Sequence, residues 1–157
     1  MKLWERWLFH VSTIVLSVSG IAYFVMKYLI ENTDPFSVVN HPWQPLMLSL
    51  HVVAAPVLVF VTGLIVQSHI RKKLDSGGRS NRSSGLVSMV SLPVMIVSGY
   101  LLQVVASPLA AQIVLVFHIG SSLVFLVTYI AHQIVTLRLR TPSESGRTPV
   151  VSRRQLA

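Results

Sequence analysis

Four of the six histidines in this 157-residue chain, His10, His51, His118 and His132, fall inside stretches that are otherwise almost wholly apolar. A neutral imidazole offers one donor and one acceptor nitrogen, so it can hydrogen-bond, carry a proton or ligate a metal. Ionisable groups in apolar membrane segments are costly and mark functional positions. No Asp or Glu shares these stretches, which leaves the histidines without acids to pair with and argues against a carboxylate-containing proton relay. Cysteine is absent altogether, and with it disulfides, thiolate metal sites, iron–sulfur clusters and thioether haem attachment. Any cofactor must therefore be held by histidine or oxygen.

The elements that position the four rings are set by hydropathy. The chain is 52% hydrophobic and 11% charged, too poor in charge for an ordinary soluble domain. Apolar residues concentrate in blocks at about 7–30, 46–68, 86–106 and 109–137. Each reaches the roughly 20 residues that carry a helix across a hydrocarbon layer about 30 Å thick. Membrane β-strands would alternate in hydropathy over about ten residues, and these blocks do not. The expected fold is all-α, an integral membrane four-helix bundle of one domain (1–137), with no convincing internal repeat and a basic, disordered tail at 138–157.

The net charge of +8 is explained by topology rather than by nucleic acid. Twelve of the thirteen Lys and Arg fall before span 1, between spans 2 and 3, or after span 4, and only Lys27 lies on the other side. The positive-inside rule then predicts both termini and the 69–85 loop in the cytoplasm, with 31–45 and 106–110 outside. "MKLWERWLFHVSTIVLSVSG" resembles a signal peptide at its start, but the apolar run continues through "IAYFVMKYLI", too long for a signal core. It is read as a retained span. Tyr28 and Trp43 suit a membrane interface, Pro56 and Pro93 stand inside spans 2 and 3, and the loop "RKKLDSGGRSNRSSG" is rich in Gly, Ser and base.

Orientation assigns each histidine a depth. His10 and His132 lie near the cytoplasmic ends of spans 1 and 4, and His51 and His118 near the outer ends of spans 2 and 4. The two rings of span 4 are fourteen residues apart, which at about 100° per residue leaves them roughly 40° apart in azimuth and about 21 Å apart along the axis. Two flat cofactors at two depths fit this spacing, each clamped between a histidine of span 4 and one from another helix. Haem meets the demand: imidazole is an iron ligand, and its second nitrogen can donate to a carbonyl or hydroxyl. Two histidines per iron fill both axial positions, which suits electron transfer rather than bond chemistry. Gly20, Gly63, Gly99 and Gly120 are positions where porphyrin or neighbouring backbone could approach closely. Zinc or copper fits less well, since two nitrogens are too few for zinc and the pairs lie too far apart for one ion.

The remaining candidates are weaker. His69 lies on the same helical face as His51 at the cytoplasmic boundary, where it is an alternative ligand to His10, while His41 in "NHPWQP" reads as a loop residue. Arg71, Lys72 and Lys73 follow the positive-inside rule or pair with haem propionates or anionic lipid.

Over about residues 4–137 the chain resembles the four-helix di-haem cytochrome b family, the bacterial cytochrome b561 type that includes membrane subunits of formate dehydrogenase and nickel–iron hydrogenase. The resemblance is carried by His10 in "WLFHVSTIVLSVSG", His51 in "LSLHVVAAPVLVFVTG", the string "SGLVSMVSLPVMIVSGYLL", and His118 with His132 fourteen apart. It implies two haem b groups, the outer one on His51 and His118 and the inner one on His10 and His132. It further implies electron transfer in a bacterial inner membrane between a redox partner protein (a dehydrogenase, reductase or c-type cytochrome) and the quinone pool. Asn81 and Gly85 would border a quinone site by the same analogy, although a wet Ser/Gly loop is the simpler reading of that stretch. Independent enzymatic activity is not expected beyond quinone redox chemistry. The alternative from another class is a non-redox membrane protein, a small-solute permease or assembly scaffold, with structural or proton-binding histidines.

Overall fold

The structure is a computed structural model that describes residues 2–32, 34, 36–66 and 82–138. The described residues form four helices and no strand: α1 (Leu3–Tyr28), α2 (Gln44–Ile65), α3 (Arg82–Val104) and α4 (Pro108–Arg138). All four contain a segment long and apolar enough to cross a membrane. The all-α expectation holds, and the helix limits lie within a few residues of the apolar blocks.

The largest differences are at α1 and α3, each of which begins four residues before its apolar block; at α1 the first turn is capped by a charge. The Lys2 backbone N–H donates to Glu5 Oε2 at 2.9 Å, and an acid in the first turn also answers the helix dipole. At the other end the Leu29 and Ile30 amides both donate to Val25 O. Pro45 in the first turn of α2 and Pro108 at the start of α4 cost nothing, since those positions lack an intrahelical acceptor for their N–H. Pro56 and Pro93 lie inside α2 and α3, a placement that membrane helices tolerate.

Contacts divide the chain into two compact units, residues 1–80 and 81–157. In the first, α1 packs on α2. Its buried residues include Ser12, Thr13, Leu16 and Ser19 of α1 and Leu58, Val61 and Ile65 of α2. In the second, α3 packs on α4, with Ser91, Leu92, Ser98 and Phe125 buried. Large apolar side chains such as Val18, Val53, Phe60, Val90 and Val116 point outward and are exposed. A water-soluble protein reverses this arrangement; helices that face lipid and meet through small and hydroxyl residues show it.

The loop after α1 explains the isolated Lys27. Its ammonium sits 5.5 Å from the ring centroids of both Tyr23 and Tyr28, and Asn40 Nδ2 donates to its carbonyl at 2.9 Å. A basic residue in the last turn also complements the helix dipole. His41 shapes the entry to α2, its Nδ1 accepting from the Trp43 amide at 3.2 Å, in agreement with a loop role.

Candidate functional site

In the first unit, His51 of α2 lies against α1. Its Nδ1 is 3.0 Å from Leu16 O and 3.3 Å from Ser19 Oγ. A carbonyl oxygen can only accept, so in this contact Nδ1 carries the ring proton. The serine hydroxyl meanwhile turns toward its own helix, 2.7 Å from Val15 O and 3.2 Å from Leu16 O, so that its oxygen presents a lone pair to the ring. Gly20 completes the seat. A β-carbon there would stand 2.9 Å from His51 Cε1 and 3.1 Å from Nδ1, closer than real carbon contacts allow.

The second unit builds the same seat from α3 and α4. His118 Nδ1 is 3.1 Å from Met95 O and 3.2 Å from Ser98 Oγ. The Ser98 hydroxyl is satisfied by Val94 O at 2.7 Å and Met95 O at 3.1 Å. A β-carbon on Gly99 would meet His118 Cε1 at 3.1 Å. Carbonyl, serine and glycine take the same relative positions in both cases: Leu16, Ser19 and Gly20 correspond to Met95, Ser98 and Gly99, each 79 residues further on.

This correspondence exposes a repeat that hydropathy does not display. "VSTIVLSVSG" (11–20) and "VSLPVMIVSG" (90–99) share six of ten residues, and the matching positions Ser12/Ser91, Thr13/Leu92 and Ser19/Ser98 are all buried. On the partner helices, His51 and His118 are each followed seven residues later by a buried side chain, Leu58 and Phe125.

His10 and His132 are less alike. His132 lies over Gly85, where an added β-carbon would be at an ordinary contact distance, 3.4 Å from Cε1 and 3.5 Å from Nδ1. His118 and His132, fourteen apart on α4, thus face Gly99 and Gly85, fourteen apart on α3. Between them, Ser88 Oγ donates to Thr128 Oγ1 at 2.8 Å. His10 stands on α1 itself, half-buried, its ring centroid 6.1 Å from that of Phe9.

Of the four glycines singled out in the sequence, Gly20 and Gly99 admit a histidine of their own hairpin, whereas nothing lies within 4 Å of a β-carbon at Gly63 or Gly120. Gly85 is placed under His132 rather than in a loop, since α3 begins at Arg82. Sequence reasoning missed Ser19, Ser98, Leu16 and Met95, although the duplicated V-S-G string was available as a signal. His69, Asn81, Arg71, Lys72 and Lys73 lie outside the described residues. Among the described residues no three His, Asp or Glu gather as a metal site.

The seats have a defined chemistry. With the proton held on Nδ1 by a carbonyl, a neutral imidazole carries its lone pair on Nε2, the form in which histidine ligates a metal, and the carbonyl behind it raises the basicity of the ring. Comparison with protein-family models, with curated proteins and with solved structures finds no match to this chain.

Proposed function

We propose that this chain is a di-haem b-type cytochrome of a bacterial inner membrane, relaying electrons between a redox partner protein and the quinone pool. The observation that carries the reading is the pair of seats in which His51 and His118 both turn Nδ1 to a helix carbonyl. Four membrane-length helices, three of them with histidines and none with an acid in its apolar block, support it.

The donor set suits haem. His51 and His118 would hold the outer group, and His10 and His132 the inner one, as the resemblance to the cytochrome b561 type implies. When bound, haem supplies one-electron chemistry at iron. The chain's own part would be to present neutral imidazoles to the group and fix their tautomer through Leu16 O and Met95 O. About 21 Å of helix between His118 and His132 would space two such centres along α4. With the basic segments placed in the cytoplasm, the ends of α2 and α4 that carry His51 and His118 would each face outward.

The reading is tested by the reduced-minus-oxidised spectrum of the purified protein and of its His118→Ala and His132→Ala variants. A b-type spectrum that loses one component in each variant supports it. A protein that assembles in the membrane without any haem absorbance overturns it.

A further inference from the structure

Two serines do work in these seats that no iron ligand does. Ser19 is fully buried and Ser98 is 5% exposed, and each hydroxyl proton is engaged by its own helix, so that each oxygen faces an imidazole as a second acceptor beside the carbonyl. One N–H shared between two oxygens cannot swing toward either without losing the other. The adjoining glycine removes the space on the third side. The ring is therefore held in both tautomer and plane. The neighbouring buried serines, Ser12 and Ser91, have the same repeat relationship, but their hydroxyls bond Phe9 O at 3.1 Å and Ser88 O at 3.2 Å within their own helices.

We infer that Ser19 and Ser98 are positioning residues for His51 and His118, each fixing the tautomer and plane of its ring and so setting the potential of the haem that the ring holds. The inference rests on the haem reading above. Each acceptor facing Nδ1–H makes the imidazole a stronger donor to iron and favours the oxidised state. Because the seats are equivalent, both serines act in the same direction.

The test is a spectroscopic redox titration of the wild type, Ser19→Ala, Ser98→Ala, the double variant and Ser91→Ala, with the electron paramagnetic resonance spectrum of each oxidised form. The expected result is two b-type steps in the wild type. A step moves to more positive potential in either serine variant, and the double variant combines the two shifts, with altered g values for each shifted centre. Ser91→Ala should leave both steps in place. Unchanged potentials and g values in the double variant overturn the inference, as do shifts to more negative potential. If Ser98→Ala loses one haem outright while Ser91→Ala keeps both, the seat governs occupancy and the inference stands; loss in both assigns the effect to helix packing and overturns it. A folded wild type without haem defeats the haem reading itself, an outcome distinct from all of these.

Discussion

Gly20 and His51 occupy one another's space: a single methyl group on Gly20 would stand 2.9 Å from the His51 ring carbon Cε1. The ring cannot retreat freely, because its Nδ1 is held 3.0 Å from Leu16 O. Helix–helix contact and the orientation of the His51 ring are therefore set by the same residue.

Gly20→Ala should accordingly displace His51. Overpacking of this kind costs about 1–3 kcal/mol, and the expected outcome is loss of one b-haem component with a lowered thermal midpoint. Gly85→Ala is the contrast, since its methyl would meet His132 at 3.4 Å. It should retain both components. Haem absorbance per protein and thermal unfolding in detergent check the pair.

Thr13 offers a gain in stability. Its side chain is 1% exposed, and its hydroxyl has no hydrogen-bond partner. A buried, unsatisfied polar group costs about 1–3 kcal/mol, and the repeat-related position carries Leu92. Thr13→Val should raise the thermal midpoint while leaving the haem spectrum unchanged; a lowered midpoint would show that the hydroxyl has a use.

The orientation predicted from charge can be read with single cysteines, because the chain has none of its own. Val38, 98% exposed in the loop between α1 and α2, should be labelled as Val38→Cys by a membrane-impermeant reagent added outside intact cells. Ser143→Cys in the basic tail should react only after the membrane is opened. The reverse pattern would invert the topology and exchange the outer and inner levels.

The helices were legible because a lipid-spanning segment needs about 20 apolar residues, a requirement each block meets on its own. The histidines were legible for the same reason, as polar exceptions in an apolar run. The seats were not, because they depend on which residue of α1 lies opposite His51 and which of α3 lies opposite His118. Hydropathy is indifferent to that choice: Ser19 and Ser98 read as mild polar interruptions, and Gly20 and Gly99 as ordinary small residues of membrane helices. Only the contact shows that the Ser–Gly pair is the floor on which a ring rests. The early start of α1 was hidden similarly, since Glu5 caps a helix whose apolar block begins at Trp7.

Ligand assignment predicts unequal losses. His118→Ala and His51→Ala should remove the same b-haem component, and His132→Ala and His10→Ala the other. Should His10→Ala retain both components and His69→Ala lose the inner one, His69 is the inner ligand in place of His10. Low-temperature difference spectra, which resolve two b-type centres, provide the readout.

The central claim reduces to a count. Non-covalent haem extracted from the purified, folded protein and measured as its pyridine complex should amount to two per chain, falling to one in His118→Ala. A folded chain that yields no haem contradicts the account.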